Sequence, residues 1–167
     1  MDVTQAGFMR DGLLAKLENE QKAAMAMLEH LPEDKLSFTP DEKLRPFNEL
    51  ANHIYTVGTW FTNVAATGDT SFPEGDPPPA PTTKQELIGA CAAMNQQLIK
   101  QAADTDPETL AKDIEFHNFG MIPAVGFIDW HISHLIHHRA QLGMYLRLMG
   151  AKVPATYGDS LDYPLKM

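Results

Sequence analysis

Apolar residues recur at helical spacing in four long segments of this chain, and the stretches between them break that period. Leu13, Leu14, Leu17, Ala24, Met25, Leu28 and Leu31 form one stripe, predicting a first helix over about 3–31 that Pro32 ends. Residues 32–46 hold three prolines and no sustained period, so they read as a connection. The second predicted helix, 46–67, has Pro46 in its first turn and Gly68 past its last periodic residue. Its stripe is Leu50, His53, Ile54, Val57, Trp60, Phe61 and Val64, which puts a histidine at the edge of a buried face.

Residues 69–81 are proline-rich and cannot hold a helix. Thr83 with Glu86 makes a capping box for a third helix, about 83–103, with Leu87, Cys91, Met94 and Leu98 inward. A single turn opened by Asp106 and Pro107 follows, then a strand-like return over 114–120. Pro123 is expected to open the fourth helix, which ends at Gly150 and leaves an extended tail packed on the rest. Four amphipathic helices bury their stripes most simply as an all-α four-helix bundle, here a single domain over 1–167. The long connections permit crossovers, so a simple up-down order does not follow.

The fourth helix changes the picture from fold to chemistry. Counting from His131, His134 and His138 fall at about −60° and −20° on the helical wheel, alongside Phe127, Leu135, Leu142, Tyr145 and Met149. Burying three imidazoles among such neighbours is costly unless each finds a hydrogen-bond partner or an ion. His134 and His138 are one turn apart and can converge on one cation, with His53 as a third nitrogen from a remote helix. His131 is about 10 Å along the axis from His138, too far to share that ion. It can stand above the site as a hydrogen-bond donor to a ligand, or face substrate. His137 lies on the flank, and His30 suits a helix C-terminus. His117 carries no preference. The plainer reading, in which the inward histidines are hydrogen-bonded core residues, stays open at this point.

Composition trims the alternatives. The 167 residues are 44% apolar and 21% charged, ordinary for a globular protein, with a net charge of −9. No Lys/Arg cluster offsets that charge, which argues against nucleic acid and against an anionic membrane surface. The lone Cys91 cannot form an internal disulfide and reads as a small buried hydrophobe. The nine methionines read as core filler. There is no basic-then-apolar leader pattern and no membrane-spanning apolar run, so a cytoplasmic location is expected.

The segments FNELANHIYTVGTWF (47–61) and HISHLIHHRAQLGMYLRLMGAKVPATYG (131–158) carry a resemblance. The second contains H-x-x-H-H-R-x-Q and runs on to V-P-x-x-Y-G, and together they resemble the two histidine regions of the DinB-like (DinB/YfiT-type) family. The likeness extends to helix order and length across nearly the whole chain. It implies a four-helix bundle, often a homodimer, with His53, His134 and His138 holding zinc, nickel or a similar divalent ion open to water. Two positions depart from the family's common forms: Leu135 where many members have Glu, and Ala140 for a common Gly. With Leu135 no carboxylate base adjoins the ligands, which puts protease-like hydrolysis in doubt.

Three protein nitrogens leave coordination positions for water and a substrate atom, as in catalytic sites. The resemblance implies metal-dependent chemistry on a small-molecule substrate, either transfer involving a low-molecular-weight thiol or hydrolysis. The alternative is a non-catalytic, stress-related metal-binding protein whose ion stabilises the bundle. Because ligation needs neutral imidazole, the ion should leave as pH falls through about 6 to 5.

Overall fold

The computed structural model describes residues 1–75 and 78–164. Four long helices dominate: α1 (Val3–Glu29), α2 (Phe47–Thr67), α3 (Lys84–Asp104) and α5 (Val125–Leu148), with the single-turn α4 (Pro107–Leu110) before the last. Local chemistry sets their ends. Asp2 and Gln5 form a capping box on α1, and Thr83 and Glu86 form the expected one on α3. Gly68 closes α2 at φ +77°, a left-handed conformation that glycine adopts without strain.

α1 packs on α5 and α3, and α2 packs on the same two helices, so the ring order is α1–α5–α2–α3. The chain therefore crosses a diagonal between α1 and α2, and again between α3 and α5. The shared core includes Leu17 and Leu28 of α1, Ile54 of α2, Leu87 and Leu98 of α3, and Ile128, Ile132, Leu135 and Leu142 of α5, all fully buried. Each such side chain contributes about 1.5–3 kcal/mol of transfer free energy. No described helix is long and apolar enough to cross a membrane.

Three expectations need correction. Pro123 does not open the last helix; it ends strand β2 (Met121–Pro123), which pairs antiparallel with β1 (Asp113–Glu115), Pro123 opposite Asp113. The strand-like return is thus a short hairpin, turning at His117–Phe119 and Gly120, and α5 starts after Ala124. Proline has no N–H to give to a ladder, and this position at the end of a two-stranded edge does not ask for one. The methionines are not uniformly core: Met27 is buried, whereas Met1, Met9, Met121 and Met144 are exposed, and Met167 lies outside the described residues. The α1 stripe is also shallower than its period suggests, since Leu13, Leu14 and Met25 are only partly buried.

Residues 151–164 pack as an irregular tail, the expected arrangement. Arg147 grips Asp162, and Tyr163 meets His30 edge-on while donating to or accepting from its Nε2 at 2.9 Å. His30 Nδ1 faces the Ala26 carbonyl at 2.8 Å, so this ring does finish a helix C-terminus. More consequential is a buried group that spacing did not reveal. Arg139 of α5 pairs with Glu20 of α1, both nearly inaccessible, and the Tyr157 hydroxyl lies 2.7 Å from Arg139 Nη2 and 2.8 Å from Glu20 Oε2. This network joins two helices and the tail.

Candidate metal centre

α2 and α5 run antiparallel and pack tightly where Gly58 meets His131. A Cβ added there would stand 2.3 Å from Cε1 of His131, so only glycine fits against that ring. The close approach sets the register of the two helices. It brings His53, at the edge of the α2 stripe, opposite His134 and His138 on α5. Further along, Phe61 meets Trp130 and His134.

One nitrogen from each of His53, His134 and His138 lies within 4.8 Å of the other two. The Nε2 atoms of His53 and His134 are 3.2 Å apart. Two ring nitrogens at that distance cannot both be protonated; they share one proton or a cation. Zinc–nitrogen bonds of about 2.0–2.1 Å set tetrahedral N···N edges of about 3.3–3.4 Å, which the His53–His134 spacing already matches. His134 Nδ1 is buried and without a hydrogen-bond partner among the described residues. The donor set is all imidazole, the chemistry favoured by zinc and nickel, and no carboxylate joins it among the described residues.

The third ring is held by a residue that spacing did not single out. Gln141 Oε1 can only accept, so His138 Nδ1–H donates to it at 2.7 Å, leaving His138 Nε2 unprotonated and free to ligate. The amide Nε2 of Gln141 in turn donates to His137 Nε2 at 3.3 Å. His137 itself is exposed and outside the cluster, as the flank position predicts. The Gln was in view in the H-x-x-H-H-R-x-Q pattern, three residues past His138 and hence on its face, but its partner could not be assigned from spacing.

Electrostatics keep these rings neutral. Burial lowers His53 to about 4, helped by the charges of Arg45 and His138. Burial lowers His134 further, to about 3, with the neighbouring histidines adding to the effect. His138 is also lowered by burial, although its bond to Gln141 opposes that. The lowered values of His53 and His134 run against ion loss between pH 6 and 5. Two of the three rings, His53 and His134, stay neutral below that range.

His131 is fully buried against Gly58, and neither ring nitrogen has a hydrogen-bond partner among the described residues. It therefore donates to none of the three clustered rings and does not line an open surface. Burial alone lowers it to about 4. His117 sits exposed at the hairpin turn with φ +44°, part of no cluster. Cys91 is buried as expected, and burial pushes its thiol up to about 12, far from a reactive thiolate. Leu135, in the position of a possible base, is fully buried in the core.

A cleft of about 270 Å³ opens beside His53, walled by Arg45, Glu49, Asn52, Thr56 and Pro78–Ala80. One ring of the cluster is thus reachable from solvent, and all three are only half-buried.

Comparison with known proteins agrees with this architecture. A sequence model described as the DinB family matches residues 3–164. A DinB-like protein, YjoA, from Bacillus subtilis superimposes with a TM-score of 0.73 at 20% identity, over 87% of this chain and 97% of that one. A DinB-like protein from Bacillus cereus ATCC 10987 gives 0.72 at 24% identity, over 88% and 97%. At such identities these structures speak for the fold alone. No curated protein matches significantly.

Proposed function

This chain belongs to the DinB family, and from that premise and the geometry of its histidines we propose that it is a metal-dependent enzyme acting on small molecules. His53, His134 and His138 hold one divalent ion, zinc or nickel, through three neutral imidazoles. The observation that carries this reading is the convergence of their nitrogens within 4.8 Å, next to an open cleft. Bound there, the ion supplies Lewis acidity that lowers the pKa of a water or thiol brought to it.

The protein's own residues do the rest. Gln141 fixes the tautomer of His138, and burial keeps His53 and His134 unprotonated and ready to ligate at neutral pH. Leu135 gives no carboxylate at the position where an H-E-x-x-H pattern would supply its base, which weighs against protease-like hydrolysis. That favours a group transfer in which the nucleophile is a small thiol, already acidic enough to ionise without a strong base, over hydrolysis. The reading carries with it a single domain and a homodimer as its working assembly.

A second reading has one observation in its favour: the cluster ties α2 to α5, so an ion there would also brace the bundle. The cleft at His53 separates the two, because a purely stabilising site has no use for solvent access. Metal-loaded protein should transfer small thiols to electrophilic acceptors, lose that activity on chelation, and regain it on adding zinc or nickel. Activity that ignores chelation would contradict the enzymatic reading.

A further inference from the structure

We propose that the cleft beside His53 takes a small molecule bearing a carboxylate, with Arg45 as its anchor and the reacting end directed at the three histidines. This deepens the reading above and rests on it for the reacting end, though not for the anchor. Among the described residues Arg45 is the only Lys or Arg lining the cleft, and it forms no ion pair with any of them. Arg45 and His53 line the same cleft, which puts the anchor beside one ring of the cluster.

The backbone of the anchor is tied down, while its side chain is exposed and reaches solvent. The Arg45 carbonyl accepts a hydrogen bond from the Tyr145 hydroxyl at 3.2 Å, tying it to the helix that carries His134 and His138. The next residue, Pro46, fixes the backbone at φ −55° as it enters α2. Asn52, adjacent to His53 in sequence, adds an amide to the same wall.

The class of ligand follows from the charges and the size. A guanidinium fork matches a planar carboxylate through two parallel hydrogen bonds. A phosphate dianion would ask for more than one cation, and Glu49 in the same wall would repel it. Glu49 also orients a carboxylate, since the anionic end is driven toward Arg45 and away from the Glu49 side chain. The volume, about 270 Å³, is at or below the small end of ligand pockets, which suits a molecule of metabolite size.

The probes are 3-mercaptopropionate and its uncharged amide, 3-mercaptopropionamide, titrated calorimetrically into the zinc-loaded and the metal-free protein. Wild type should favour the acid about tenfold or more, and Arg45→Gln should abolish that preference while keeping its full zinc complement. Equal affinity for acid and amide in wild type, or a preference that survives in both Arg45→Gln and Arg45→Ala, overturns the anchor. Failure of the metal reading looks different. A wild type that takes up no zinc yet prefers the acid through Arg45 upholds the anchor and removes only the ion.

Discussion

Gly58 of α2 and His131 of α5 touch so closely that a methyl group at position 58 would stand 2.3 Å from the imidazole. The contact sets the spacing of the two helices that carry the histidine cluster. Gly58→Ala should therefore destabilise the fold by about 1–3 kcal/mol, the usual cost of overpacking. It should also weaken metal binding by spreading α2 from α5. The double variant Gly58→Ala/His131→Ala should recover part of both losses, as expected for residues in contact. Denaturant unfolding and metal titration of the three variants check this.

His131 should make stability sensitive to acid. Its folded-state pKa, lowered by burial to about 4, lies below the roughly 6.5 of an unfolded imidazole. Above pH 6.5 the ring is neutral in both states and adds no slope. Between 6.5 and 4 the unfolded chain takes up the proton first, so stability falls as pH falls, by up to about 3 kcal/mol from this residue. His131→Asn should flatten that limb of the stability curve, measured by urea unfolding at a series of pH values.

The Glu20–Arg139 pair is a different kind of buried polarity, satisfied within the protein. Arg139→Met leaves Glu20 buried without its partner, and a loss of about 3–5 kcal/mol is expected. Replacing both residues with Met should restore most of it. Unfolding midpoints of the single and double variants measure the difference.

Metal affinity should respond weakly to mild acid. Three ordinary imidazoles would lose about a thousandfold in affinity between pH 7 and 5.5, because each is mostly protonated at the lower value. With His53 near 4 and His134 near 3, the loss should be far smaller, within about tenfold. Competition titrations at the two pH values decide. In the same assay Gln141→Ala should cost about 10–100-fold by freeing the His138 ring.

Much of this architecture was legible in the chain before its coordinates. The four stripes located the long helices, because an amphipathic period survives whatever the tertiary contacts, and Thr83 with Glu86 marked a cap by chemistry alone. His53, His134 and His138 met because each lay on an inward face. What escaped was non-local. Pro123 was ambiguous between a helix start and a strand end until the pairing with Asp113 was visible. Glu20, Arg139 and Tyr157 sit in three separate stretches, so no local spacing joins them. The Arg45 carbonyl is held by Tyr145, a residue a hundred positions away.

Elemental analysis of the purified protein beside its His134→Ala variant, both exposed to equimolar zinc and desalted, bears most directly on the central claim. One ion per wild-type chain and none in the variant is the predicted result. Equal zinc in the two proteins, or none in either, would contradict it.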